Sequence, residues 1–140
     1  MSLEAKIRSI ESRIVLAQKK SGFNHPVQII AVTKTHPLQT IKEAYDAGIK
    51  SIGENRVQEA SQKFESFDHM PKITKRFIGN LQTNKVKKCI ALFDTIDSVN
   101  SLKLAKKISN VAGTLNRTIS VLLEIHTSGE QQKHGFPPDL

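Results

Sequence analysis

A β-branched run, Val27-Gln28-Ile29-Ile30-Ala31-Val32-Thr33, and a short strand, Lys50-Ser51-Ile52-Gly53, flank one helical pattern and constrain this chain more than any other feature. Between them Pro37 suits the first turn of a helix, Leu38, Ile41, Ala44 and Tyr45 recur at helical spacing, and Gly48 is placed to stop the helix in a left-handed conformation. Strand, helix and strand within roughly two dozen residues form a βαβ unit, whose strands must run parallel and whose crossover must be right-handed. The first run stops at Lys34, just before Thr35-His36-Pro37. Lys34 is therefore expected at the carboxyl end of a core strand, the edge at which α/β folds bind ligands. A lysine there can attack a carbonyl and form a Schiff base. The plain alternative is a lysine that snorkels out of the strand end, and position alone favours it.

The same alternation continues along the chain. Before it, Leu3, Ile7, Ile10, Ile14 and Ala17 make one stripe of an amino-terminal helix, expected to lie against the outside of a sheet and to end at Ser21-Gly22. After it, a third helix carries Val57, Ala60, Phe64 and Phe67 up to Met70-Pro71, and Arg76 to Gly79 reads as the next strand. A brief helix runs through Cys89, Phe93 to Asp97 reads as the fourth strand, and Ser98 is expected to cap a helix bearing Val99, Leu102, Ala105 and Ile108. The fifth and longest strand is expected over Thr118 to His126, and 127–140 as loop or tail. Five strands, each but the last followed by a helix, fit an open doubly wound sheet or a (β/α) barrel. A full eight-stranded barrel typically needs about 200 residues or more, so 140 residues cover about five of eight units in a single domain, 1–140.

Composition narrows the function classes. A net charge of +8 favours anionic partners, but the lysines are scattered and only six Phe and one Tyr are available for base stacking, which disfavours nucleic acid. A single cysteine, Cys89, permits neither an intrachain disulfide nor a thiolate metal cluster. No apolar run approaches bilayer length and the amino terminus lacks a signal-peptide core, so no membrane role and a reducing, cytoplasmic location are expected.

Four ordered motifs then carry a resemblance. Ala31-Val32-Thr33-Lys34-Thr35, Gly53-Glu54-Asn55-Arg56-Val57-Gln58-Glu59, Phe77-Ile78-Gly79-Asn80-Leu81-Gln82-Thr83-Asn84-Lys85, and Ser128-Gly129-Glu130 with Lys133 and Gly135 span nearly all of the chain. In that order they resemble the pyridoxal phosphate homeostasis proteins. The resemblance implies a partial TIM barrel of the alanine racemase amino-terminal type, with an extra N-terminal helix. It implies pyridoxal 5′-phosphate held as a Schiff base and a role in vitamin B6 homeostasis without demonstrated enzymatic turnover. Lys34 matches the cofactor lysine, which reverses the balance against it, and Asn55 matches a position at the barrel mouth near the cofactor ring. Asn80 and Asn84 are assigned to the mouth only, with a turn or cap role favoured. Two departures stand out: Lys75-Arg76 where the family usually has Trp-His, and Glu124 and His126 where it more often has Gln and Asn.

The family's remaining three strands would follow Leu140 and include the phosphate-binding segments, so the resemblance implies a covalent lysine without its phosphate cup and a weakly held cofactor. Open strand edges then invite self-association or a complementing carboxyl-terminal fragment. The alternative is a cofactor-free remnant acting as a basic binding or self-association module. An amino-acid racemase is disfavoured, because no convincing second base is present.

Overall fold

The computed structural model describes residues 1–139 and contains one five-stranded sheet in which all strands are parallel and lie in chain order. Its elements are helix α1 (Leu3–Ser21), β1 (Ile30–Val32), α2 (Leu38–Asp46), β2 (Ser51–Glu54), α3 (Val57–Phe64), β3 (Thr74–Phe77), α4 (Val86–Leu92) after a short 3-10 turn, β4 (Thr95–Val99), α5 (Leu102–Thr114) and β5 (Ser120–Leu123). A parallel sheet wound in one direction curls as a segment of a barrel wall, with helices outside and strand-to-helix loops along one rim. The partial TIM barrel is thus the observed architecture.

Local chemistry sets the element ends. Ser2 caps α1 by accepting from the Ala5 amide at 3.1 Å, and Gly22, at φ 73°, closes it in the left-handed region. Gly48, at φ 99°, ends the α2 segment as expected. Ser98 does not cap α5. Its hydroxyl donates to the Gly79 carbonyl at 2.5 Å, while Ser101 accepts from the Leu104 amide and serves as the cap. The shift arises because pairing of Val99 with Leu123 prolongs β4 past the expected end, through an irregularity between Ile96 and Val99. The buried face of α5 is accordingly Leu104, Ile108 and Ala112, and Leu102 is exposed. The fifth strand is four residues rather than the longest, and among the described residues β4 is its one strand neighbour.

Packing follows strand parity. Ile52, Glu54, Phe77 and Ile96 face the helices, whereas Ser51, Gly53, Arg76, Thr95 and Asp97 alternate onto the inner surface. Outside the sheet, Ile7, Ile41, Ile49, Ile52, Met70 and Ile73 form one core. Phe77, Val86, Ile90, Phe93, Ile96 and Leu104 form a second, and Phe64 packs against both. Phe93 is fully buried, with the rings of Phe64 and Phe77 edge-on at centroid distances of 5.1 and 5.3 Å.

The inner surface is less covered than a buried strand would be. Ile30 and Val32 of β1 and Leu122 of β5 are exposed there, while Ala31 packs on the helix side and Val121, in register with Ile96, also faces the helix side. Helix α1 is likewise buried only at Ile7, so the stripe expected to lie on the sheet contacts α2 near its start and leaves Ile10 and Ala17 exposed, as are Val15 and Leu16 outside it. Beyond β5 the chain turns back: Phe136 pairs beside Ile125, donating to the Glu124 carbonyl and accepting from the His126 amide, each at 2.7 Å. Gly135, at φ 130°, passes so near this turn that a Cβ would lie 2.7 Å from the His126 nitrogen.

Candidate functional site

Lys34 occupies the first central position of the turn Thr33–His36, closed by the His36 amide on the Thr33 carbonyl at 3.0 Å. The next residue, Thr35, has φ 64°, a left-handed conformation that a β-branched residue adopts only at a cost. Among the described residues no hydrogen bond or ion pair engages the Lys34 side chain, and the residue is exposed at the rim rather than sunk among apolar neighbours.

Asn55 leaves the sheet in matched register. Val32 pairs with Gly53, and the Thr33 amide extends the ladder to the Gly53 carbonyl at 3.0 Å, so Lys34 and Asn55 each lie two residues beyond a paired position on the same side. The rim is closely built there. Gly79 lies against the Asn55 backbone, where a Cβ would be 2.8 Å from the Asn55 Cα, and only glycine permits that approach. Asn80 continues the rim and accepts from the Asn100 side chain at 3.3 Å. A cavity of about 270 Å³ opens between the loops after β2 and β3, lined by Asn55, Arg56, Gln58, Asn80, Gln82 and Lys85. Asn84 lies in the 3-10 turn beside it and does not line it. A roomier cavity of about 710 Å³ lies near α1, His25 and Lys50, at the opposite end of the sheet from Lys34.

Behind Lys34 stands an ion network that sequence reasoning missed. The Glu54 side chain is fully buried, and its Oε1 accepts from Lys63 Nζ at 2.6 Å and from the Thr33 hydroxyl at 3.1 Å. Burying a carboxylate is expensive unless it is paired, and Lys63, reaching in from α3, supplies the pair. Lys63 also meets Glu59 Oε1 at 2.8 Å and donates to the Thr33 carbonyl at 2.9 Å. Burial works against the Lys63 ammonium, but its hydrogen bonds to Glu54 and Glu59 outweigh that, so its pKa is raised. The Lys63 hydrogen bond, followed by the Thr35 amide, holds the Glu59 carboxyl below its ordinary value. The available signal was the Glu59 to Lys63 spacing of one helical turn.

A second network crosses the inner surface. Arg76 Nη1 donates to both oxygens of Asp97 at 3.2 and 3.1 Å, Thr95 donates to Asp97 at 2.8 Å, and Gln28 donates to Ser51 at 2.8 Å. Arg76, paired in register with Gly53 and Thr95, therefore sits within the sheet rather than at the mouth, and Lys75 turns outward over the Phe64 ring. His126, at the strand end, is partly buried, and its Nε2 has no partner among the described residues.

The model of the family described as alanine racemase, N-terminal domain, matches residues 6–140. The chain belongs to that family. Within the alanine racemase N-terminal domain family it is similar to the pyridoxal phosphate homeostasis protein of Vibrio alginolyticus, at 36% identity over 138 residues covering 96% of this chain and 59% of the relative. The chain thus spans about three fifths of the length of that curated relative. A solved structure of PipY from Synechococcus elongatus with pyridoxal phosphate bound superposes with a TM-score of 0.74, at 39% identity over 89% of this chain and 57% of that one. Alanine racemase of Clostridium difficile, at 19% identity and a TM-score of 0.68, shares the fold. No helix among the described residues is long and apolar enough to cross a membrane.

Proposed function

We propose that this chain binds pyridoxal 5′-phosphate in vitamin B6 homeostasis, holding it as a Schiff base on Lys34 with Asn55 beside the ring. The observation that carries the reading is Lys34 itself: an unpaired amine on a braced turn at the carboxyl end of β1, where parallel strands present their ligand edge. Its neighbours fit the cofactor's polar substituents, since Asn55 offers both a donor and an acceptor and Gly79 keeps the rim beside it low. The PLP-bound PipY structure and the names of the curated relatives support the same cofactor. When bound, the cofactor supplies an aldehyde. Lys34 would hold the cofactor through its side-chain amine, condensing with that aldehyde with loss of one water, and Asn55 would lie beside the ring. The chain's role is to hold and release the cofactor in the cytoplasm rather than to catalyse turnover.

Phosphate sites in (β/α) barrels form from the loops after the seventh and eighth strands, whereas these five strands contribute the lysine side. The exposed apolar residues of the edge strands, Ile30 and Val32 on β1 and Val121, Leu122 and Leu123 on β5, favour association with further strands, from a second copy or a complementing carboxyl-terminal fragment.

Adding pyridoxal 5′-phosphate, reducing with borohydride and mapping the adduct tests the reading. The expected result is a near-visible absorbance band and one dominant adduct at Lys34, both abolished in Lys34→Ala. Adducts scattered over surface lysines and unchanged by Lys34→Ala would overturn it.

A further inference from the structure

The two backbone groups that bracket Lys34 are both tied to helix α3. The Thr33 carbonyl, one residue before, accepts from the His36 amide at 3.0 Å and from Lys63 Nζ at 2.9 Å, so both of its lone pairs are used. The Thr35 amide, one residue after, donates to Glu59 Oε1 at 2.7 Å. Glu59 and Lys63 meet each other at 2.8 Å, and Lys63 is locked in turn by fully buried Glu54. A turn carrying a β-branched residue in the left-handed region persists only where its surroundings over-determine it, and here the surroundings are these two side chains.

We propose that the Glu59–Lys63 pair is a positioning device for Lys34, fixing the backbone on either side of it so that the amine projects from the rim in one orientation. Neither residue touches the reacting atom in this arrangement, and the proposal rests on the reading of Lys34 as the cofactor lysine. The physical logic is that a nucleophile carried on a loop gains from each backbone torsion removed in advance, because ordering it during reaction costs entropy. The Lys34 side chain keeps its freedom at the solvent end while its Cα is pinned. Glu59 and Lys63 lie one helical turn apart, so the brace moves as a unit with α3, which is anchored by buried Val57 and Ala60.

The test compares wild type with Glu59→Ala, Glu59→Gln and Lys63→Gln, using pyridoxal 5′-phosphate followed by borohydride and site-resolved adduct mapping. Hydrogen exchange of the Thr35 amide and backbone order at Lys34, both read by NMR without cofactor, form a second arm. Glu59→Ala should lower the Lys34 adduct about tenfold and speed Thr35 exchange by a similar factor, with adducts at exposed Lys103 and Lys106 unchanged. Glu59→Gln, which retains an acceptor for the Thr35 amide, should recover most of both signals, a rescue that loss of general stability would not produce. Lys63→Gln leaves Glu59 in place and should fall between them. Wild-type adduct yield together with unchanged Thr35 protection in Glu59→Ala would overturn the proposal. If wild type itself forms no Lys34 adduct, the Schiff-base reading fails separately, and the NMR arm alone decides the brace: lost order at Lys34 in Glu59→Ala supports it, and retained order overturns it. Should Glu59→Ala not fold, Lys63→Gln is judged by the same criteria.

Discussion

Gly79 is pressed against the backbone of Asn55, with its α-carbon where any Cβ would come within 2.8 Å of the Asn55 Cα. The contact joins the loops after β2 and β3 and sets the spacing of the rim at a candidate cofactor residue. Gly79→Ala is therefore expected to destabilise the fold by about 1–3 kcal/mol, the range for overpacking. Gly53→Ala should cost less, because the nearest atom to its Cβ is the flexible end of the Ile78 side chain, at 2.9 Å. Urea denaturation of the two variants, compared at their midpoints, checks the order.

Arg76 and Asp97 form an ion pair on the inner surface, with side chains 18% and 11% exposed. Removing either partner strands a half-buried charge. Arg76→Ala or Asp97→Ala should each cost about 2 kcal/mol, less than the roughly 3–5 kcal/mol of fully buried pairs. A double-mutant cycle should return a coupling of about 1 kcal/mol. Additive single effects would show that the pair contributes nothing.

The brace behind Lys34 gives stability a defined pH window. The folded pKa of Glu59 lies below its ordinary 4.5, so its contribution is present above that value and is lost as pH falls through the lowered one. The folded pKa of Lys63 lies above its ordinary 10.5, so its contribution is full below that value and is lost as pH rises through the raised one. Chemical denaturation across the acid range should show a shallower decline in Glu59→Gln than in wild type. Identical slopes would mean that the pair is not coupled to folding.

Cys89 is fully buried on α4, and burial pushes its thiol up to about 12. The thiolate is the reactive form, so an aromatic disulfide reagent should leave the native protein unlabelled at neutral pH and modify it promptly in denaturant. Rapid labelling of the native state would mean that α4 opens locally.

The order of elements could be read from the sequence because it rests on strong local signals. Pro37 and Gly48 mark the limits of the α2 segment, and the β-branched run up to Lys34 announces β1. What could not be read was which side of a strand each residue serves. Val32 and Ile30 look like core residues in a linear pattern, yet their inner face is exposed and Ala31 supplies the helix-side contact. Ser98 and Ser101 are both acceptable caps, and the choice between them was made by the pairing of Val99 with Leu123, a contact far away in sequence. At the site, Lys34 and Asn55 emerge at matched register, but Glu59 and Lys63 read as ordinary solvent-facing helix residues until α3 is placed beside the turn.

The strict chain-order winding of the sheet has a consequence for how such a rim changes over time. Every loop on it is bounded by a strand and a helix whose packing is settled on the far side of the wall, so a substitution in one loop leaves its neighbours' scaffolding alone. That independence ends where loops touch, as at Gly79 and Asn55, and at the turn bearing Lys34. Its shape is on loan from α3, and a drift at Glu59 or Lys63 would alter the amine's bearing without touching its own segment of chain.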